Sequence, residues 1–277
     1  MDAVATFTDT YLPTVNGVTY TVTTWRDRWR ARGGRMDVVY PGAPGHVPED
    51  GERPVASVDF PFYDGYRLGV PAVPRAVGDV DVVHVHSPFT LGFGGMRLAR
   101  REGLPLVASY HTPTSEYAGY LAPWPLSSAV AGLSAYWERT FFDRADVVLV
   151  PSDDAGAHVR DEVGVSTRVE TLPNGVDVER FRPVETADFR ERHGLDGERP
   201  LVGYTGRHGH EKRLDTLVEA AAGLDVTLAL AGDGPARASL ERLADERDVD
   251  ARFLGFLPRE DLPAFYACLD VFAFPSP

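Results

Sequence analysis

Leu201-Val202-Gly203-Tyr204-Thr205-Gly206-Arg207-His208-Gly209-His210-Glu211-Lys212-Arg213 is the stretch that decides how this chain folds. Five largely apolar residues read as a buried strand. A glycine-punctuated turn follows, and then Leu214, Leu217 and Val218 open an amphipathic helical pattern. Strand, glycine turn and helix start, with a guanidinium and an ammonium in the turn, form the local chemistry that suits a phosphate or diphosphate. Lys212 is the one lysine among 28 basic residues. A chain that otherwise uses arginine throughout has kept a compact ammonium at this place. Taken alone, a G-R-x-x-x-E-K run is more often a solvated helix start than a ligand site; the surrounding sequence has to decide.

Moving outward, short apolar runs alternate with helical periodicity along the whole chain. Strands are expected at 3–7, 36–40, 82–85, 106–110, 147–150, 169–172, 201–204, 226–231, 252–254 and 271–274. Most are apolar on both faces, as in sheets covered on both sides by helices. In the first helix Val18, Val22, Trp25 and Trp29 recur at helical spacing and Gly33-Gly34 ends it. Ser152-Asp153-Asp154 offers cap chemistry for another. A later helix is expected to start around Pro258, with Glu260 and Asp261 in its first turn. Residues 41–54, rich in proline and glycine, read as a loop. The alternation predicts an α/β protein of two Rossmann-like, doubly wound parallel-sheet domains: 1–172, a linker at 173–198, and 199–277. Two such domains facing each other would put a ligand in the cleft between them.

Composition sets limits. The chain has 277 residues, 43% of them hydrophobic, enough for full globular cores. With 28 basic and 41 acidic residues its net charge is −13, which argues against nucleic acid as a partner. An acidic surface almost without lysine resembles the proteins of salt-loving microbes. GC-rich codon usage accounts for the arginines but not for the acidity. Cys268 is the sole cysteine, so neither an intrachain disulfide nor a cysteine-based metal site is expected. No apolar run approaches membrane-spanning length, and the N-terminus runs directly into a strand, so a cytoplasmic location is expected, with peripheral membrane contact left open. The arginines at 26, 28, 30, 32 and 35 cluster around the first helix. They are either a solvated face or a contact for anionic headgroups.

Other residues carry chemistry only in company. Asn16-Gly17 at a strand-to-helix turn lets backbone approach a ligand, and is also an ordinary tight turn. His84 and His86 point to one side of their strand; with no further ligands nearby in sequence, a structural or cleft-lining role is expected over a metal site. His208 and His210 flank Gly209 and either assist a diphosphate or lie exposed. Gly232-Asp233-Gly234-Pro235 has a plain turn explanation beside a functional one. Trp25 and Trp29 are expected in the core.

The order of the motifs resembles a known family. F-T-D-T-Y-L-P-T-V-N-G-V at 7–18, H-S-P-F-T-L-G at 86–92, S-Y-H-T-P-T-S-E-Y at 109–117, A-D-V-V-L-V-P-S at 145–152, L-P-N-G-V-D at 172–177, G-R-H-G-H-E-K-R-L-D at 206–215, A-G-D-G-P at 231–235 and F-L-G-F-L-P at 253–258 follow the pattern of family-4 glycosyltransferases of the GT-B fold. The look is that of the branch that glucosylates diacylglycerol or builds sulfolipid and phosphatidylinositol mannosides. The resemblance implies retaining, metal-independent transfer of a hexose from a nucleotide-diphosphate sugar, UDP or GDP type, to a lipid or glycan acceptor. It implies catalytic roles for Arg207 and Lys212 on the diphosphate and for His111 beside the donor sugar. Gly17, Asn16, Gly206, Glu211, Phe256 and Leu257 would belong to the donor site, and Asp9, Tyr11 and His86 to the acceptor side. No metal or other cofactor is expected.

The sequence departs from the pattern at Phe272-Ala273-Phe274-Pro275-Ser276-Pro277, where the family's E-x7-E segment should begin. The second domain is therefore expected to be incomplete. The alternative reading is a catalytically silent, truncated glycosyltransferase serving as a binding or scaffold module. An incomplete second domain should be the less stable one, so limited proteolysis should cut it first; equal resistance in both domains contradicts the expectation.

Overall fold

The computed structural model describes residues 2–60, 66–111 and 126–276, the side chains of 126–132 excepted. The chain divides into two compact units, Met1–Gly175 and Val176–Pro277.

In the first unit the strands are β1 (Ala3–Phe7), β2 (Arg35–Pro41), β3 (Glu52–Val55), a hairpin of β4 (Ser57–Asp59) and β5 (Arg67–Gly69), β6 (Val82–Val85), β7 (Leu106–Ser109), β8 (Val147–Val150) and β9 (Val169–Thr171). Helices α1 (Gly17–Ala31), α2 (Thr90–Glu102), α3 (Leu126–Phe142) and α4 (Asp153–Ala157) connect them. Seven strands pair in the order β3-β2-β1-β6-β7-β8-β9, all parallel. The connections wind one way from β1 to β3 and the other way from β6 onward. Phe7 therefore pairs with Val39 on one side and Val85 on the other. The loops after β1 and β6 part at that point, where open α/β sheets take their ligands.

Helix α2 lies tight against this centre. A Cβ at Gly95 would meet Val85 at 2.6 Å and Phe7 at 2.9 Å, so only glycine lets the helix settle there. The loop expected at 41–54 ends in a short edge strand, β3. Pro54 is tolerated because an edge strand bonds on one side only. The arginine cluster does not form one face. Arg26 is buried; it donates to Glu52 at 2.6 Å, to Tyr11 at 3.0 Å and to Glu49 at 3.1 Å. Arg30 pairs with Asp50 and Arg35 with Asp37, while Arg28 and Arg32 are exposed. Burial pushes the Glu52 carboxyl up, but the Glu49 amide, His46 and Arg26 outweigh it and hold the group below its usual range.

The second unit contains α5 (Ala187–His193), β10 (Leu201–Thr205), α6 (Leu214–Ala221), β11 (Thr227–Ala231), α7 (Arg237–Glu246), β12 (Ala251–Gly255), α8 (Leu262–Cys268) and β13 (Val271–Phe272), with strand order β12-β11-β10-β13, all parallel. The stretch read as a linker holds α5, whose Phe189 packs in a core with Leu201, Leu257 and Phe265. Helix α8 starts at Leu262, later than Pro258 suggested, and carries Pro263 in its first turn. Strand β13 pairs through Val271 and Phe272, with the Tyr266 ring edge-on to Phe272 and Phe274 stacked on Phe272.

Removing Arg26 strands the carboxylate of Glu52 in the core. Arg26→Met is expected to lower the unfolding free energy by about 3–5 kcal/mol, the cost of breaking a buried ion pair from one side. Arg28→Met should change it by less than about 0.5 kcal/mol. Denaturant unfolding of both variants checks this, and equal effects contradict it.

Candidate active site

The carboxyl ends of adjacent parallel strands assemble the candidate residues, each unit on its own edge. In the second unit β10 leads into Gly206, β11 into Gly232 and β12 into Phe256. The loop after β10 is fixed by the turn after β11: the His208 amide donates to Asp233 O at 2.8 Å and the Ala236 amide to His208 O at 2.9 Å. The two loops touch through glycine. A Cβ on Gly232 would overlap the Gly206 carbonyl, and one on Gly234 would come within 2.6 Å of His208 O. Packing alone therefore requires Gly232 and Gly234. Between Gly209 and Leu214 the chain makes one tight turn, His210–Lys212, and Arg213 adopts a left-handed conformation (φ 52°) to enter α6.

This turn carries the cations. Arg207 bonds Glu211 Oε1 at 3.2 Å, with both side chains partly exposed. Lys212 is partly exposed, and among the described residues its ammonium has no ion-pair partner. A partly exposed pair such as Arg207–Glu211 is worth at most about 1 kcal/mol. A diphosphate offers charge-assisted bonds of about 1.5–3 kcal/mol each, so the guanidinium can leave Glu211 for it. His208 is 0% exposed, its imidazole lying between Tyr204 and Phe253. It supports the loop from beneath, while His210 is exposed. Burial pushes the His208 imidazole below its ordinary pKa, so it sits neutral. Phe256, 65% exposed, presents a free ring face at the end of β12, whereas Leu257 is a core residue. Leu257 is expected to border a base mainly through backbone and apolar contact, and its side chain is buried.

In the first unit β1, β6 and β7 lead into Thr8-Asp9, His86 and Tyr110-His111. Asp9 and Tyr11 were expected to face an acceptor, and both are buried instead. Asp9, 2% exposed, accepts from Ser87 Oγ at 2.7 Å, Thr90 Oγ1 at 2.9 Å and the Leu91 amide at 3.0 Å. It caps α2 in place of Phe89, whose side chain cannot. Burial pushes the Asp9 carboxyl up, and the bonds from Ser87, Leu91 and Thr90 pull against it. Tyr11 packs on Tyr40 and accepts from Arg26. Asn16 caps α1, accepting from the Thr19 amide at 3.0 Å and donating to Thr10 at 2.7 Å. Gly17, the first residue of α1, is exposed, with open space where its Cβ would stand.

His86 is 3% exposed, too deep to touch an acceptor as expected; its Nδ1 lies 2.9 Å from His111 Nε2. His84 bonds Ser109 Oγ at 2.8 Å and stacks on Trp25 at 5.6 Å. His111 is the partly exposed member of the trio. Residues 112–117 of its motif lie outside the described residues. Burial pushes His84 down to about 3 and His111 down to about 4; burial, with His84 and His111 beside it, holds His86 well below 6.5. All three are neutral at pH 7. No sequence signal distinguished the buried histidines from the partly exposed one, since period-two spacing gives a face but no depth. Among the described residues no group of three or more His, Cys, Asp or Glu is placed to hold a metal ion, and no helix is long and apolar enough to cross a membrane.

Residues 15–180 match the protein family described as Glycosyltransferase Family 4, and residues 185–277 match Glycosyl transferases group 1. A GDP-mannose-dependent alpha-mannosyltransferase of Mycolicibacterium smegmatis is 35% identical over 99% of this chain and 73% of its own length. The sulfoquinovosyl transferase SQD2 of Arabidopsis thaliana is 32% identical over 83% of this chain and 46% of its own. The solved sucrose-phosphate synthase of Thermosynechococcus elongatus shares the fold, with a TM-score of 0.76 at 19% identity, covering 99% of this chain and 75% of that one.

The neutral histidines set a pH test. An imidazole whose folded pKa is depressed contributes stability above its unfolded value, about 6.5. That stability is lost as pH falls from there toward the folded values near 4 and 3. Each buried imidazole adds a slope of up to about 1.4 kcal/mol per pH unit. Unfolding free energy measured from pH 7.5 to 4.5 should therefore fall less steeply in His84→Gln than in the unaltered protein. Parallel curves would rule out a neutral buried His84.

Proposed function

The chain belongs to the glycosyltransferases of family 4 and group 1, and from that premise we propose that it transfers a hexose, with retention, from a nucleotide-diphosphate sugar to a lipid or lipid-linked acceptor. The observation that carries the reading is the turn at 206–212. It brings a guanidinium ion-paired with Glu211, and an ammonium with no ion-pair partner among the described residues, to the carboxyl edge of a parallel sheet. When the anomeric C–O bond breaks, the electron pair goes to the leaving diphosphate. Arg207 and Lys212 are the groups that stabilise that charge as it develops. Phe256 offers its exposed ring to the base, and Gly17 its open backbone to the phosphates. His111 stands beside the donor hexose. A guanosine diphosphate sugar is the first donor to test, because the mannosyltransferase relative is named for that donor. Relatives named alpha-monoglucosyldiacylglycerol synthase and phosphatidylinositol monomannoside mannosyltransferase support a lipid acceptor.

Titration with GDP and UDP separates this reading from a silent scaffold: a chain that binds neither has no donor site. Lys212→Ala is expected to lower hexosyl transfer by at least tenfold, equivalent to about 1.4 kcal/mol of lost transition-state stabilisation. Unchanged turnover would remove Lys212 from the mechanism.

A further inference from the structure

His86 is 3% exposed, and its geometry gives it a task that deepens the transferase reading on which this inference rests. Its Nδ1 and His111 Nε2 are 2.9 Å apart, and the two ring planes lie within 7°. The ring centroids are 5.2 Å apart, the sum of the N···N distance and the two ring radii. The bond is therefore in line and in plane, as an imidazole lone pair requires. Both rings are neutral, so each carries one proton and a single proton lies between them.

The far side of His86 decides who owns that proton. His86 Nε2 is buried and has no hydrogen-bond partner among the described residues. If His111 donated, His86 would have to carry its proton on Nε2, an orphaned N–H in the core. Buried N–H groups left without an acceptor are rarer than bare acceptors. If His86 donates, the atom left over is only a lone pair. His86 Nδ1–H is therefore the donor and His111 Nε2 the acceptor, and the His111 proton is forced onto Nδ1. His84 holds the other flank of this arrangement: its ring centroid lies 4.2 Å from that of His86 and is itself fixed between Ser109 and Trp25.

We propose that His86 is a positioning residue that fixes His111 in its Nδ1–H tautomer, so that His111 meets the donor sugar as a hydrogen-bond donor to a hydroxyl and not as a proton acceptor. The orientation of one ring by another through the nitrogen away from the substrate is a general device for setting an imidazole's role.

The test is read on the full chain without any substrate. Long-range ¹H–¹⁵N correlation of histidine-labelled protein at pH 7.5 should show both His111 and His86 protonated on Nδ1. A His111 ring protonated on Nε2 overturns the proposal. Variants supply the functional arm. An asparagine amide places its N–H where the imidazole Nδ1 was, whereas phenylalanine keeps the ring and loses the donor. In His86→Phe the His111 signals should move toward the Nε2–H tautomer, with kcat down at least about tenfold and donor KM changed far less. His86→Asn should keep the tautomer and recover most of the lost kcat. Equal loss in both variants with His111 unmoved contradicts the proposal, and if His86→Phe does not fold the tautomer of the unaltered protein still decides. A correct tautomer in a chain that transfers no hexose would defeat the transferase reading and leave the role of His86 standing.

Discussion

All seven strands of the first sheet and all four of the second run parallel, and everything functional in this protein depends on that constraint. A parallel strand cannot return through a tight hairpin, so each must be followed by a crossover, and all crossovers leave from one edge. Thr8-Asp9, His86 and His111 come to the same edge because β1, β6 and β7 are neighbours. Gly206, Gly232 and Phe256 do so because β10, β11 and β12 are. Residues far apart in sequence become a site through strand order alone.

The two edges are built by different physics. In the second unit the turn at 206–212 is backbone held by backbone. Glycines at 232 and 234 admit the Gly206 and His208 carbonyls to near contact, and amides at 208 and 236 close the pair. The buried His208 fills the space beneath, so Arg207 and Lys212 project from a supported loop. In the first unit the work falls to side chains. Asp9 caps α2, Arg26 and Glu52 hold the loop containing Tyr11, and three neutral imidazoles line up from Trp25 to the partly exposed His111. The edge of the second unit carries charge, and that of the first is neutral and hydrogen-bonded.

Much of this was legible in the residues. Apolar runs bounded by turns gave ten of the eleven strands of the two parallel sheets and the winding that follows from them, because burial on both faces leaves a continuous hydrophobic signal. The ordered motifs gave the family. What stayed hidden depends on distant partners. Arg26 reads as one more exposed arginine until Glu52 and Tyr11 are brought to it. Glu52-Arg53-Pro54-Val55 reads as loop because an edge strand needs only half its bonds. Asp9 and Tyr11 look like site residues because polar groups in a motif loop usually face a ligand; here the N-terminus of α2 and the Arg26 guanidinium claim them first.

The central claim is that a diphosphate is received by the cations of the turn after β10. A crystal structure of the chain with GDP or UDP tests it most directly. The account predicts phosphate oxygens within hydrogen-bonding distance of Lys212 Nζ and of the Arg207 guanidinium, with Arg207 drawn away from Glu211. A nucleotide bound elsewhere, with Arg207 still on Glu211 and Lys212 in solvent, would contradict it.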